Sequence, residues 1–242
     1  MPKPRVERKI IGEGQEQIVY EYAPNIKTGR ERDIVLKEDK HRYRFTSEKK
    51  KYLENNFQQR RKQYSYIDED RREINFFPRQ RFFPAKERPG YYLAQEKINL
   101  ASKPDIFSYS SDELLPQTQK QLQVLIDLMR ESLQRFRDEG PTSDNYPIDA
   151  YGKENIVVDN NGDIKCVDTG YNLSSYEKMN PGQIRKYIES RIFLLELVAG
   201  RDVESLLKDE FYSDLVSRIV RDDRDFRRFS DNPDLLMKML NV

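Results

Sequence analysis

The hydrophobic pattern of this chain changes near residue 100, and that change limits the possible folds more than any other feature. Before it, short apolar runs alternate with Gly, Pro and Asn, which is typical of β-strands joined by turns. After it, apolar residues recur every three or four positions, which is typical of amphipathic helices. Strands and helices do not alternate as they would in a doubly wound sheet. The sequence therefore predicts an α+β fold.

The first part of the chain contains predicted strands and one predicted helix. Strand patterns cover residues 6–22, 34–36 and 74–94, with Gly and Pro between them. A helix is predicted over 46–63, because a Thr-Ser pair can cap its start and no Gly or Pro interrupts it. One face of this helix is strongly basic, and its narrow apolar stripe consists of Tyr52, Leu53 and Phe57.

The second part is predicted to be helical around one hairpin. Helices are predicted over 117–138, 184–198 and 203–220, and the hairpin over 155–167 turns at an Asn-Asn-Gly-Asp sequence. The first of these helices has the clearest period, formed by Leu122, Leu125, Ile126, Met129, Leu133 and Phe136.

Two lobes and a connector follow from this order of elements. The predicted domains are an amino-terminal lobe over 1–98, a loop-like connector over 99–116 and a helical carboxyl-terminal lobe over 117–242. Residues 1–100 contain 24 Lys/Arg and 16 Asp/Glu, so this part carries a charge of +8 and the remainder −7. Such a split predicts two regions with different partners or facing surfaces.

The scarcity of Cys and His excludes several classes of chemistry. The chain has one cysteine, Cys166, and one histidine, His41, so an intrachain disulfide and a zinc site of Cys or several His ligands are excluded. A Ser-His-Asp hydrolase would have to use His41, which lies in a Lys/Arg-rich stretch. Cys166 is predicted to be a small buried apolar residue. A metal here would have oxygen ligands, which favours Mg²⁺ or Mn²⁺.

Hydropathy predicts no membrane segment and no secretory signal. No apolar run approaches the roughly 18 residues that a transmembrane helix needs. The first residues, Met-Pro-Lys-Pro-Arg, are not followed by an apolar stretch. We therefore expect a cytoplasmic protein without a membrane partner.

The predicted hairpin contains the strongest chemical pattern in the sequence. Two short strands joined by a tight turn would bring Asn155 and Asp168 together at its open end. An amide oxygen and a carboxylate side by side supply half of a Mg²⁺ coordination shell, and water and phosphate oxygens can complete it. The alternative is an ordinary surface hairpin with polar ends.

Two further patterns in the first lobe are compatible with phosphate binding. Gly12 and Gly14 lie in a strand-to-strand turn, where glycine allows the backbone to approach a phosphate group closely. Lys37 ends the apolar run Ile-Val-Leu, and an inward lysine there needs an anionic partner. The alternatives are a simple turn and a lysine that points to water.

Together these patterns resemble the protein kinase-like superfamily, which includes protein kinases and small-molecule kinases related to aminoglycoside phosphotransferases. The sequence I-G-E-G-x-x-x-I-V-Y resembles the glycine-rich loop, V-L-K resembles the lysine strand, and N-I-V-V-D-x-x-G-x-I-K-x-V-D-T-G resembles the catalytic-loop Asn followed by the metal-binding Asp. The resemblance covers residues 8–170. It implies a two-lobed kinase-like fold with a small β-rich amino-terminal lobe and a reduced helical carboxyl-terminal lobe.

The resemblance implies a nucleotide site in the first lobe. Gly12 and Gly14 would cover the ATP phosphates, and Lys37 would pair with the α- and β-phosphates. Val19, on the strand after the loop, would join the nucleotide-binding residues. Residues 95–98 would form the hinge that meets adenine through backbone groups; Glu96 and Ile98 are its nucleotide-binding members.

The resemblance also implies a set of catalytic and metal-binding residues. Asp168 would bind Mg²⁺ or Mn²⁺, with Asn155 as the second protein ligand. Glu54, in the basic helix, would be the partner of Lys37. Glu48 is the alternative, because the loop before the helix can differ in length.

The sequence departs from the family pattern where the catalytic base is expected. Gln17 replaces the third loop glycine, and no His-Arg-Asp triplet is present. Alignment on Asn155 puts Ala150 at the position of the base, and Asp149 lies one residue earlier. A loop longer by one residue would still aim Asp149 at a substrate hydroxyl. In the same loop, Lys153 would either reach the γ-phosphate or point to solvent.

Three functions are compatible with these features. The first is an ATP- and Mg²⁺-dependent phosphotransferase that acts on an unknown hydroxyl acceptor, with a small molecule favoured because no activation segment follows residue 170. The second is a pseudokinase, which binds nucleotide or a protein partner without catalysis. The third is a nucleic-acid-binding module that uses the basic helix, through 49–51 and 60–62, and neighbouring tyrosines.

Overall fold

The protein is described by a computed structural model, which is mixed α/β with a β-rich sheet region and several helices. The structure describes residues 9–13, 17–22, 34–39, 46–84, 91–140, 155–167 and 181–215. Within these ranges no helix combines the length and apolarity needed to cross a membrane.

The chain divides into two compact units. The first comprises residues 1–59 and 78–98, and the second comprises 60–77 and 99–242. The sequence analysis assigned 60–77 to the amino-terminal lobe, whereas in the structure this segment clusters with the second unit. The division into kinase-like lobes with a connector over 99–116 stays a prediction.

A five-stranded antiparallel sheet forms most of the described part of the first unit. Its strands, in chain order, are β1 (Lys9–Glu13), β2 (Gln17–Tyr22), β3 (Ile34–Asp39), β6 (Gln80–Pro84) and β7 (Tyr91–Glu96). The order across the sheet is β1-β2-β3-β7-β6, so β3 is central. Its β-branched and apolar residues suit that place, and Val35 and Leu36 are buried. Because Pro cannot donate to a neighbouring strand, Pro84 is tolerated on the edge strand β6.

Helix α1 (Ser47–Gln63) follows the predicted basic helix closely. Leu53 and Phe57, one turn apart, are both 2% exposed. Tyr52, which the sequence analysis included in the apolar stripe, is 44% exposed. The prediction for Tyr52 is wrong because position 52 lies about 100° around the helix from position 53.

A second, three-stranded sheet lies in the second unit. It consists of β8 (Leu100–Asp105), β9 (Ile156–Asp159) and β10 (Ile164–Cys166), in the order β10-β9-β8. All four residues of β9 are buried, as expected for a central strand. The hairpin predicted over 155–167 is confirmed by the antiparallel register of β9 and β10.

The sequence analysis predicted a loop over 99–116, and this prediction is wrong at residues 100–105, which form strand β8. Leu100 pairs with Asp159 and Asp105 with Val157, and the register shifts between these pairs. Pro104 lies in that irregular stretch, where its missing amide removes no regular ladder bond. The strand exists because of pairing with residues more than fifty positions later, which local composition does not reveal.

A small hairpin that follows α1 in the sequence was also missed. It consists of β4 (Ser65–Ile67) and β5 (Glu73–Asn75), joined by a five-residue loop in which Arg71 has a φ of 60°. Only the second strand had been predicted, because β4 has three residues and no apolar run. After β5, Phe76 and Phe77 are almost completely buried.

Together with strands β9 and β10, three helices of the described part of the second unit contribute to its apolar core. They are α2 (Pro116–Glu139), α3 (Pro181–Val198) and the short α4 (Val203–Lys208). Helix α2 packs against α3, and all six predicted apolar positions of α2 are 3% exposed or less. The predicted core face of this helix is therefore confirmed.

The predicted helix over 203–220 is interrupted after Lys208; residues 213–215 are helical again, and 216–220 lie outside the described residues. Asp209, directly after Lys208, accepts a hydrogen bond from the Phe211 amide at 2.9 Å and so caps a 3₁₀ turn. This side-chain cap competes with continuation of the helix, which is a common property of Asp. Burial acts to raise the pKa of Asp209, but the Phe211 amide and the guanidinium groups of Arg130 and Arg201 outweigh burial and lower it.

A buried ion-pair cluster joins α2, α3 and the segment after α4. The Glu196 side chain is 2% exposed and lies 2.6 Å from Arg130 Nη1 and 3.1 Å from Arg201 Nη1. Glu196 also accepts the Tyr212 hydroxyl at 3.0 Å. Arg130 and Arg201 both reach Asp209 at 3.0 Å. The attraction and hydrogen bonds between these groups offset the cost of removing the Glu196 carboxylate from water.

Removal of the central charge should therefore destabilise the second unit strongly. We expect Glu196→Gln to lower the free energy of unfolding by about 3 kcal/mol, because two guanidinium groups lose their buried counter-ion and retain only Asp209. The matched control is Glu204→Gln, since the Glu204 and Lys208 side chains are 71% and 72% exposed. That exposed pair should contribute less than about 1 kcal/mol. Urea unfolding followed by far-UV circular dichroism measures both, and equal losses would contradict the prediction.

Candidate functional site

Strand β3 places Lys37 in the middle of the first sheet. Its backbone lies opposite Val19 of β2 on one side and Leu93 of β7 on the other. Lys37 is half-buried, and it shares a strand face with the buried Val35, two residues earlier. Two of the residues predicted to meet a nucleotide, Val19 and Lys37, are therefore neighbours across a strand pair.

Of the predicted glycine-rich turn, Gly12 and Glu13 belong to strand β1 in the structure. Gly12 lies opposite Val19, and the register of the two strands shifts between Ile10 and Gly12. A bulge of this kind bends a strand and increases its twist, which is common beside binding sites. Gly14 lies outside the described residues, and its contact with phosphate stays a prediction. The sheet therefore brings Gly12, Val19 and Lys37 onto three adjacent strands.

The predicted partner of Lys37 has a different neighbour in the structure. Glu54 lies on α1, and its Oε1 atom is 3.7 Å from Nζ of Lys50, one turn earlier in the helix. The alternative, Glu48, lies in the first turn of α1 and is exposed. Pairing of Lys37 with either carboxylate stays a prediction.

The predicted hinge, residues 95–98, includes the last two residues of β7, Gln95 and Glu96. The Glu96 amide donates to the Arg79 carbonyl at 2.9 Å, and Oε2 of Glu96 accepts the Arg79 amide at 3.3 Å. Because this amide is already bonded, adenine could use only the Glu96 carbonyl or groups further along, such as those of Ile98. The neighbouring Lys97 forms a 3.2 Å ion pair with Glu21 of β2.

In the second unit, the β9–β10 hairpin has the open end that the sequence analysis expected. The Val167 amide donates to the Asn155 carbonyl at 2.9 Å, which continues the ladder by one pair beyond the paired residues Ile156 and Cys166. Asn155 is 9% exposed. The next residue after Val167 is Asp168, which lies outside the described residues, as does Asp149. Their predicted roles are treated below as proposals.

The turn of this hairpin is held by its own side chains. Oδ1 of Asp159 accepts the amides of Asn161 at 2.8 Å and Asp163 at 2.9 Å. Gly162 has a φ of 84°, in the left-handed region that glycine tolerates. The Asn-Asn-Gly-Asp turn predicted from sequence is therefore confirmed, and it fixes which residues of β9 and β10 face each other.

Helix α2 contributes polar side chains to the hairpin that the sequence analysis did not identify. The Thr118 hydroxyl donates to the Gly162 carbonyl at 2.6 Å, and Gln117 and Gln121 each donate to Oδ1 of Asp163 at 2.7 Å. A signal for two of them was present in the sequence. Thr118 and Gln121 lie on the same helix face as Leu122 and Leu125, and a polar residue on an apolar face predicts a buried hydrogen-bond partner.

Cys166 has a structural role, as predicted. It is completely buried in β10, and burial raises the pKa of its thiol to about 12. A thiol with such a pKa carries almost no thiolate near neutral pH, so nucleophilic chemistry at this position is excluded.

The basic face of α1 is narrower than its sequence indicates. Arg60 is only 6% exposed, and Lys50 is paired with Glu54. Lys51 and Lys62 remain exposed. Arg60, one of the basic residues predicted to contact nucleic acid, is therefore not available on the surface of this helix.

The described residues contain no group of three or more His, Cys, Asp or Glu side chains arranged to hold a metal ion. A metal site at the open end of the hairpin would therefore depend on Asn155 and on Asp168. An amide oxygen and a carboxylate form a hard, oxygen-only donor set, which fits Mg²⁺ or Mn²⁺.

Comparison with known proteins leaves the family open. No family model matches the chain, and no curated protein matches it in sequence. Among solved structures, the chain is similar to an apo pseudokinase, with a TM-score of 0.35 and 9% sequence identity. That match covers 87% of this chain and 86% of the pseudokinase chain. A likeness at this level carries no argument about function, and the kinase-like motifs remain a resemblance.

The position of Lys37 yields a test that does not depend on family. If its ammonium group meets phosphates, Lys37→Ala should weaken ATP binding far more than adenosine binding. The lost charge-assisted contact corresponds to about 1.5–3 kcal/mol. Calorimetric titration with each ligand measures the two losses, and Lys51→Ala, which removes an exposed lysine of α1, is the control. Equal losses for ATP and adenosine in Lys37→Ala would place its side chain away from the phosphates.

Proposed function

We propose that this chain is a minimal kinase-like phosphotransferase, which uses ATP and Mg²⁺ to phosphorylate a hydroxyl group. The observation that supports this most directly is the hydrogen bond between the Val167 amide and the Asn155 carbonyl at 2.9 Å. Asn155 is thereby opposite the residue that precedes Asp168. An Asn amide oxygen and an Asp carboxylate at the open end of one hairpin would give a divalent ion two oxygen ligands.

The first unit supplies the second line of support. A half-buried lysine in the central strand of a small antiparallel sheet, beside a strand pair with a glycine-containing bulge, suits the binding of a polyphosphate. Lys37 would neutralise charge on the α- and β-phosphates, and the backbone at Gly12 and Gly14 would approach the phosphates without a side chain in the way. Val19, next to Lys37, would cover part of the nucleotide.

The proposed reaction requires few chemical steps from the protein. Asn155 and Asp168 would hold Mg²⁺, which supplies charge neutralisation at the phosphate oxygens when bound. Asp149 would orient the acceptor hydroxyl and accept its proton as the new P–O bond forms and the bond to ADP breaks. The remaining contribution is positioning, because phosphoryl transfer needs the attacking and leaving oxygens in line.

A pseudokinase is the second candidate function, and one sequence feature favours it. Ala150 occupies the position where the resemblance expects the catalytic base, so the alternative is a fold that binds nucleotide or a protein partner without turnover. Lys37, Asn155 and Asp168 would then serve nucleotide binding alone. The two functions differ in a single measurable property, which is ATP turnover.

The proposal predicts that nucleotide binding depends on a divalent ion. We expect ATP affinity in the native protein to rise when Mg²⁺ is added, because the ion would bridge protein oxygens and phosphates. Asp168→Ala should abolish this dependence, whereas Asp127→Ala, in a helix far along the chain from the hairpin, should retain it. Titration with ATP in Mg²⁺ and in EDTA measures the effect. Equal ATP affinity with and without Mg²⁺ in the native protein would overturn the proposal.

Substitution of Asp149 and measurement of ATP turnover distinguish an enzyme from a pseudoenzyme. If Asp149 accepts the proton of the acceptor hydroxyl, Asp149→Asn should reduce turnover by about 100-fold or more while ATP affinity stays the same. ADP release, measured with and without candidate acceptors, gives the rate. Turnover that is present but unchanged in Asp149→Asn would remove Asp149 from the mechanism. Tight binding of Mg²⁺ and ATP with no turnover in the native protein would establish the pseudokinase alternative.

A further inference from the structure

Strand β10 has hydrogen-bond partners on both of its edges, although it is an edge strand of its sheet. Amides of alternate residues in a strand point to opposite sides. Val167 donates to Asn155 on the side of β9, and so Ile164 and Cys166 donate on the outer side. The Cys166 amide donates to the Phe76 carbonyl at 2.7 Å, and the Ile164 amide donates to Oε1 of Gln121 at 2.8 Å.

Gln121 therefore takes the place of a neighbouring strand at the beginning of β10. Its side-chain oxygen accepts the strand amide, and its side-chain nitrogen donates to Oδ1 of Asp163 at 2.7 Å. The residue is 2% exposed, so both groups would lack water partners if these bonds were lost. An unpaired buried polar group costs roughly 1–3 kcal/mol. The side chain of one helical residue thus bonds the outer edge of a three-residue strand at its first residue.

We propose that Gln121 is a positioning residue for the metal-binding end of the hairpin, an inference that rests on the proposed function. The strand that Gln121 holds leads through Cys166 and Val167 directly to Asp168. A strand this short has few backbone bonds to resist fraying or a shift of register, and a one-residue shift turns every side chain to the other face. Loss of the Gln121 contact would therefore loosen the pairing that places Val167 opposite Asn155, without changing either proposed metal ligand.

The same helix contains a matched control for this inference. Gln117, one turn earlier, donates to the same Oδ1 atom of Asp163 at the same distance of 2.7 Å. Unlike Gln121, it is exposed, and its described contact is with the turn rather than with the amide of Ile164. Both substitutions remove a hydrogen bond to Asp163, but only Gln121→Leu also removes the hydrogen bond to the Ile164 amide of β10. Comparison of the two variants therefore isolates the effect of the bond to β10.

The test is the apparent dissociation constant for Mg²⁺, obtained from the binding of a fluorescent ADP analogue at increasing Mg²⁺ concentration. Residues that orient a metal ligand typically change metal affinity by about 10–100-fold. We expect Gln121→Leu to weaken Mg²⁺ binding about 10-fold, while binding of the analogue in EDTA stays as in the native protein. Gln117→Leu should change the Mg²⁺ constant by less than about 2-fold. A purely structural role would change stability and leave the Mg²⁺ constant unaltered.

A second set of variants covers the case in which Gln121→Leu does not fold. Gln121→Glu keeps an acceptor for the Ile164 amide but brings a carboxylate against Asp163, so it should weaken Mg²⁺ binding. Adding Asp163→Asn to Gln121→Glu exchanges donor and acceptor, and this double variant should restore the affinity. Restoration supports the inference, and a Mg²⁺ constant that is unchanged in Gln121→Glu or not restored in the double variant overturns it. Absence of any Mg²⁺ dependence in the native protein would instead overturn the proposed function itself.

Discussion

Thr118 of helix α2 holds the β9–β10 turn by donating its hydroxyl to the Gly162 carbonyl at 2.6 Å, and the geometry of the hairpin depends on this contact. A Cβ atom on Gly162 would lie 2.9 Å from Cδ1 of Leu115 and 3.1 Å from Oγ1 of Thr118, so both side chains would have to shift to admit one, and the φ of 84° would strain it. The turn sets the register, and the register places Asn155 opposite Val167. The position of Asn155, which we propose as a metal ligand, thus depends on a contact at the other end of the hairpin.

The second unit relies on arginine where many small domains rely on apolar side chains. The ring of Phe211 lies between two guanidinium groups, with Arg130 at 4.3 Å and Arg137 at 4.4 Å from its centroid. Arg137 also pairs with the fully buried Glu189 at 2.5 Å and donates to the Phe211 carbonyl at 3.0 Å. A planar guanidinium can stack and donate at the same time, which an ammonium group cannot do. Arginine is therefore not replaceable by lysine at these positions.

The sequence was informative where structure depends on neighbours along the chain. The period of α2, the cap region of α1 and the Asn-Asn-Gly-Asp turn are local signals, and all three predicted their elements well. The sequence analysis did not predict strand β8 or the interruption of the helix after Lys208, because both depend on interactions that local sequence patterns do not show. The first depends on pairing with β9, more than fifty residues later, and the second on a competition between a helix and the side-chain cap of Asp209.

The residues of the candidate site were likewise predictable only where they lie on elements that are close in sequence. Lys37, Val19 and Gly12 could be brought together from strand patterns, since β1, β2 and β3 follow one another along the chain. The polar residues of α2 could not be assigned to the hairpin, because helix and turn are about forty positions apart in sequence. Glu54 was predicted to pair with Lys37 because of its distance from Lys37 along the chain. That criterion did not take into account Lys50, which lies one helical turn from Glu54 and forms an ion pair with it.

The burial of Cys166 has a practical consequence for the study of this protein. The chain has no other cysteine, and the raised pKa and complete burial of this thiol protect it from maleimides and other thiol reagents in the folded state. A cysteine introduced at an exposed position, such as Lys51 or Asn160, could then carry a fluorophore or spin label without replacement of the native residue. The native sequence thus already provides the background that labelling experiments usually require mutagenesis to create.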